Sequence, residues 1–225
     1  MRLHRSKDFD MAQVTDSQLL QLNGRLKNAA DLAASINEAA ARFSIDQSLR
    51  RLRYFVAQSF FETMSYTTWV ENLTYTTPQR LVAVWPSRFT MNQADTTRAY
   101  APSYINNPQK LAGLVYGGRM GNGVWPASND AYTYRGRGAF HLTGQANYNQ
   151  YSIFMYGDLR IVDNPDLVAE PTDAFMSAGW FWQTRGLNQL ADQDAYTKAT
   201  VVINGSASTV PQRLQVLNQV NQIIT

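Results

Sequence analysis

The chain has 225 residues, 44% of them hydrophobic and 12% aromatic, which fits one folded domain, or one with a short appendage, and excludes a disordered polymer. It contains no cysteine and two histidines, His4 and His141, so disulfide staples, thiolate nucleophiles, cysteine-based zinc sites and HExxH centres are excluded. The net charge of +3, with a pI near 9.2, favours an anionic partner such as an acidic cell wall. The basic residues are scattered apart from Arg50, Arg51 and Arg53, so no nucleic-acid partner is expected.

The opening MRLHRSKDFDMAQ is basic but runs into acids rather than an apolar stretch, so it reads as an extension and not as a signal peptide. Met11 can serve as a start, and His4 reads as a tail residue. No apolar run approaches the ~20 residues needed to cross a bilayer, so no membrane insertion is expected and the protein is expected to begin in a cytoplasm.

Residues 15–43 carry helical spacing through Leu19, Leu22, Leu26, Leu32 and Ile36, with Asn23-Gly24 as a possible break. Residues 46–64 read more strongly as a helix, capped by Asp46, with Leu49, Leu52, Val56 and Phe60 on one face. The stretch Ser65-Tyr66-Thr67-Thr68 interrupts it, since these are poor helix formers in a row.

The middle of the chain is punctuated by TPQR, WPSRF, APSYINNPQK, YGGRMGNGVWPASND and YRGRG, which predict loops and tight turns with short helices after Thr77-Pro78 and near Pro108. Residues 143–156 and 172–184 look helical again, the second with a capping threonine in PTDAFMSAGWFW. A last helix runs from Pro211 to Ile224 with Thr209 as its cap. The expected fold is one mainly α domain with long loops.

The stretch AQSFFETMSYTTWVENLTYTT holds two of the four glutamates in the chain, Glu62 and Glu71. On a continuous helix nine steps of about 100° would turn roughly 180° and send the two carboxylates to opposite faces. The break at 65–68 lets Glu62 end a helix while Glu71 sits on a turn or short strand that folds back. Glu62 stands at the edge of an apolar face, and a carboxyl group in such surroundings is costly to ionise, as a general acid near neutrality requires. Glu71, followed by Asn72 and threonines, is set to stay ionised. One protonated and one charged carboxyl is the arrangement for glycosidic bond hydrolysis. The plainer alternative is two surface glutamates that happen to stand nine apart.

The motifs FVAQSFFETMSYTTWVENLTY, LVAVWPSRF, YGGRMGNG, YRGRGAFHLTGQANY, DNPDLVAEP and VVINGS, in this order, resemble family 19 glycoside hydrolases, the chitinase family that also supplies lysozyme-like endolysins to bacteriophages. The resemblance runs from about residue 38 to 220. It implies a lysozyme-like, family 19 chitinase-like helical domain over residues 36–225 with a catalytic cleft. Residues 1–35 would then be an N-terminal extension or helix packed on that domain or preceding it.

Residue by residue, the resemblance puts Glu62 on the general acid, Glu71 on the general base and Thr143 on the hydroxyl that helps hold the attacking water. Asn147 and Tyr148 fall on the asparagine and tyrosine lining the sugar cleft, Asn204 on a substrate-binding asparagine, and Arg213 on an arginine supporting the acid. The family inverts the anomeric centre, for which the carboxyl groups stand roughly 6.5–9.5 Å apart.

Three departures stand out. His141 occupies the place of a usual glutamine, still able to hydrogen-bond a sugar but also able to change charge near neutral pH. Met64-Ser65 replaces a common Gly-Gly after the acid, so a different turn geometry is expected there. Ser206-Ala207-Ser208 stands where plant members carry a further glutamate. These departures, with the lack of disulfides, bring the chain nearest to the compact bacterial and phage members.

The expected function is therefore an endolysin that inverts the N-acetylmuramic acid–N-acetylglucosamine bond of peptidoglycan glycan strands, as a monomer without metal or cofactor. It would be stored in a host bacterial cytoplasm and released to the wall through a separate membrane-permeabilising protein. A chitinase on N-acetylglucosamine polymers is the nearest alternative, and a non-catalytic sugar-binding module is the alternative of another class. The glycine loops lack the spacing of phosphate cradles. Trp69, Trp85, Trp125, Trp180 and Trp182 divide between sugar stacking and core, with GWFW read as core. Tyr148 divides between packing and subsite wall, and Asn204 between subsite and simple turn.

Overall fold

A computed structural model describes residues 11–225, and the readings of His4 and of the first ten residues as a tail lie outside it. Along the chain run α1 (Asp16–Leu22), α2 (Ala29–Arg42), α3 (Leu49–Glu62), α4 (Pro78–Val84), two two-residue strands, β1 (Phe89–Thr90) and β2 (Ala99–Tyr100), and α5 (Pro108–Tyr116). There follow α6 (Asp130–Thr133), α7 (Gln145–Tyr156), α8 (Arg160–Asp163), α9 (Pro171–Thr184), α10 (Leu187–Asp192), α11 (Tyr196–Asn204) and α12 (Val210–Ile223). The fold is mainly α, as the periodicity predicts. β1 and β2 pair in parallel, Phe89 opposite Ala99 and Thr90 opposite Tyr100. No helix among the described residues is long and apolar enough to cross a membrane.

The chain forms two compact units. The first holds the residues through Trp69 together with Arg137–His141 and Asp166–Thr225. In it α2 packs on α9 and α3 on α12. Leu32, Ile36, Phe55, Phe175 and Trp182 are fully buried. Phe55 meets Trp182 and Phe140 edge-to-face, with ring centroids 5.5 Å apart in both pairs. A side chain at Gly179 would begin 2.2 Å from the Phe43 ring, so glycine is what lets α9 approach the end of α2. Trp180 and Trp182 are core residues, as GWFW suggests.

The second unit spans Val70–Gly136 and Leu142–Pro165. Its core gathers Leu73, Leu81, Phe89, Leu111 and Val115, with Trp85 packed against it. The glycines of GRMGNG and HLTG serve close approach. Gly121 and Gly144, both left-handed, lie so near Ala146 and Met120 respectively that any β-carbon would clash. The Met120 carbonyl accepts the Ala146 N–H, and the buried Asn122 Oδ1 accepts the Gln145 N–H, which together fix the start of α7.

Two caps differ from expectation. Ser48, not Asp46, caps α3, its extended backbone turning the hydroxyl toward the Arg51 N–H. Asp46 lies two residues earlier, its carbonyl engaged by the Ala12 N–H. The start of α9 is Glu170 with Pro171 at the first helical position, where a proline's fixed φ suits a helix, and Thr172 lies inside the helix.

Burial pushes the Asp46 carboxyl above its usual value, against the N–H groups of Asp46 and Gln47, and its Oδ1 is buried without a hydrogen-bond partner. A carboxyl raised in this way favours the fold only when protonated. Its contribution is complete below the unfolded value of 3.8 and is lost as pH rises through the folded value. Asp46→Asn is therefore expected to raise the melting midpoint near neutral pH, with the gain vanishing below pH 3.8 in paired melting curves.

Candidate active site

Glu62 is the last residue of α3, which ends two residues before the predicted limit at residue 64. The chain then takes three successive left-handed residues, Met64, Ser65 and Tyr66, with φ of 50°, 66° and 62°. Each costs roughly 1–2 kcal/mol outside glycine. The turn is held by hydrogen bonds: the Tyr66 N–H donates to Thr63 Oγ1 (2.9 Å), the Ser65 N–H to the Phe60 carbonyl (2.7 Å), and Asn23 Nδ2 to the Ser65 carbonyl (2.9 Å). Met64 and Ser65 thus lie in the backbone region that glycines adopt without strain.

The Glu62 carboxylate accepts through Oε1 from Nη2 of Arg213, a side chain 1% exposed against 17% for Glu62. Arg213 spends its other donors inside the protein, on Gln58 Oε1 (2.6 Å) and on Thr209 Oγ1 (3.0 Å), and its guanidinium lies over the Phe61 ring. Gln58, fully buried one helical turn before Glu62, donates in turn to Thr200 Oγ1 at 2.8 Å. A guanidinium that uses three nitrogens on three different partners is a rigid support that a lysine could not copy. In place of the apolar setting expected for it, Glu62 is a partly exposed carboxylate paired with an enclosed arginine, the two carried by α3 and α12.

Glu71 is built differently. Its N–H donates to the Gly136 carbonyl (2.8 Å) and its Oε2 accepts the Gly136 N–H (3.2 Å), so residues 71 and 136 are bridged twice. Oε1 accepts from the Tyr116 hydroxyl at 2.6 Å. No arginine or lysine pairs with it among the described residues. One carboxylate is held by a cation and the other by neutral donors.

The remaining residues of the resemblance take varied places. The Thr143 carbonyl accepts from Asn147 Nδ2 at 2.7 Å, which joins those two in one turn at the start of α7. Tyr148 is 0% exposed and donates its hydroxyl to the Arg135 carbonyl (2.8 Å) while its ring tilts against Tyr134. It supports the Arg135–Gly136 segment from within and lines no sugar surface, because α7 turns it into the core. Arg213 likewise is enclosed, so it supports Glu62 and does not touch substrate. His141 lies in the left-handed region (φ 49°), its N–H on the Gly138 carbonyl. Asn204 is the last, exposed residue of α11 before left-handed Gly205, and its Nδ2 donates to the Ser206 carbonyl and to Thr209 Oγ1, both at 3.2 Å. Thr209 does stand at the start of α12, yet its hydroxyl serves Arg213 and Asn204 instead of capping the helix.

Sequence reasoning missed Gln58 and Tyr116. Gln58 carried a signal, a polar residue within an apolar helical face one turn from Glu62. Tyr116 carried none, being 45 residues from its partner. Asp130 accepts the Gly123 N–H at 2.9 Å.

The family model described as Chitinase class I matches residues 88–217. The chain belongs to glycoside hydrolase family 19. A glycosyl hydrolase family 19 domain-containing protein of Haemophilus influenzae is 28% identical over 189 residues, covering 81% of this chain and 82% of that protein. An acidic endochitinase of Petunia hybrida is 37% identical over 111 residues, 48% of this chain, and the match spans only 39% of the plant protein. Among solved structures, chitinase C of Streptomyces griseus aligns with a TM-score of 0.60 at 18% identity, covering 97% of this chain and 94% of that one, a likeness of fold. This family 19 chain is accordingly a chitinase-like glycoside hydrolase. Glu62 and Glu71 precede the stretch matched by the family model.

Proposed function

We propose that this family 19 hydrolase cleaves the glycan strand of peptidoglycan, between N-acetylmuramic acid and N-acetylglucosamine, with inversion, using Glu62 as general acid and Glu71 as general base. The observation that carries the assignment is the contrast in how the two carboxyl groups are held. Arg213 engages only Oε1 of Glu62, which leaves Oε2 to deliver a proton to the glycosidic oxygen. Once that proton has gone, the guanidinium stabilises the carboxylate left behind, so it favours proton release. Glu71 receives neutral donors only, which orient the carboxylate without cancelling its charge.

In the reaction Glu62 protonates the leaving oxygen as the bond from the anomeric carbon breaks. Water held by Thr143 attacks that carbon from the opposite face and gives its proton to Glu71. The configuration inverts, and solvent returns Glu62 and Glu71 to their starting protonation states. His141, Asn147 and Asn204 are assigned to sugar binding. The enzyme acts as a monomer, and on this reading it reaches the wall from a host cytoplasm through a separate membrane-permeabilising protein.

The net charge of +3 supports an acidic wall polymer as substrate. A second reading, chitin, is favoured by the plant relatives, which are named endochitinases. Purified sacculi and colloidal chitin separate the two. Mass spectrometry of soluble products is expected to find muropeptides with N-acetylmuramic acid at the reducing end. Release from chitin alone would reject the wall assignment, and release from neither would favour a binding module.

A further inference from the structure

We infer that Tyr116 is a positioning residue for the base, its phenol holding one oxygen of the Glu71 carboxylate with a proton that it does not surrender. The inference rests on Glu71 being the base and adds how that base is kept in place.

Tyr116 is the last residue of α5, and its main-chain carbonyl accepts from Asn122 Nδ2 at 3.1 Å. Asn122 in turn holds the start of α7, so the phenol is anchored to a framework and does not hang from a free helix end. The ring packs against the core of its unit, and the 2.6 Å contact to Oε1 falls in the range of strong hydrogen bonds to an anion. With the Gly136 N–H on Oε2, the two donors fix the carboxylate plane from opposite ends. Each oxygen keeps a lone-pair position for the proton of water. Removing the hydroxyl leaves the Gly136 bridge alone, about which the carboxylate can turn.

Burial, then the charge of Glu71, pushes the Tyr116 phenol far above its usual value, with Tyr75 adding to this and Arg119 opposing it. The phenol therefore keeps its proton and acts as a donor to the carboxylate. Tyr75, itself raised by burial and then by Glu71, faces the same carboxylate, and Arg80 opposes its shift.

Tyr116→Phe in the full chain tests the inference, with Glu71→Gln beside it. Loss of the donor is expected to lower kcat up to about 10²-fold at a KM within about twofold, since a misplacement near 1 Å has that effect. The acidic limb of the pH–rate profile should move upward, because the base loses a group that favours its charged form. A folded Tyr116→Phe with unchanged kcat and profile overturns the inference. If that variant does not fold, 3,5-difluorotyrosine at position 116 keeps ring and hydroxyl while strengthening the donor. The limb should then move downward, and an unmoved limb overturns the inference. Full activity in Glu71→Gln instead overturns the choice of base, whereas an inactive Glu71→Gln beside an unaffected Tyr116→Phe rejects only the role of the tyrosine.

Discussion

Glu62→Gln is expected to lower kcat by about 10²–10⁴-fold, the contribution of a positioned general acid. The substitution is close to isosteric, and a glutamine oxygen can still accept from Arg213, but it leaves the enclosed guanidinium without its counter-charge, so the melting midpoint is expected to fall while the folded variant keeps the loss in activity. Substrate binding should persist, which places the loss in kcat. A substrate whose leaving group needs no proton, such as a dinitrophenyl glycoside, should recover much of the rate, because the missing group is the proton donor. Equal losses on both substrates, or undiminished turnover on the natural one, would show that another residue is the acid. Steady-state rates on the two substrates with parallel melting curves make the measurement.

Arg213→Met should reduce both stability and activity. The guanidinium is almost fully enclosed and serves Glu62, Gln58 and Thr209 together. Methionine fills a similar volume but leaves the Glu62 carboxylate without its cation and the buried Gln58 oxygen without a donor. Breaking one side of a fully buried ion pair costs about 3–5 kcal/mol, and because Glu62 keeps 17% exposure the loss is expected below that range. Denaturant unfolding of the variant measures that loss. Arg213→Lys restores the charge but not the fork, so it is expected to recover part of the stability and little of the activity. The double variant Arg213→Met with Glu62→Gln should be less unstable than the sum of the two single changes, since it removes the unpaired charge. Strict additivity would mean that the pair is not coupled. The two glutamates thus make different demands: Glu62 depends on one buried arginine, whereas Glu71 depends on neutral donors of its own unit.

Much of the fold was legible because it is written at short range. The apolar spacing of Leu52, Val56 and Phe60 defines α3, and the residues after Glu62 end it. Pro78, Pro108 and Pro171 open α4, α5 and α9, each at a first helical position. The helix α11 was not legible. Its run of Thr200, Val201, Val202 and Ile203 disfavours a helix, and burial of Tyr196, Ala199 and Thr200 overrides that preference. The Ser48 cap was similarly a choice between two suitable residues, decided by main-chain bonds that tie up Asp46 from α2 and Ala12.

By itself the sequence determined the helical class, the break after Glu62 and the order of motifs that names the family, because periodicity, turn residues and motif order are properties of neighbouring positions. Only the tertiary structure decided that Gln58 shares Arg213 with Glu62 across 155 residues, that Tyr116 reaches Glu71 across 45, and that Tyr148 faces inward. The physical reason is that a hydrogen bond between distant residues depends on where packing brings two helices or loops together. No local preference records that.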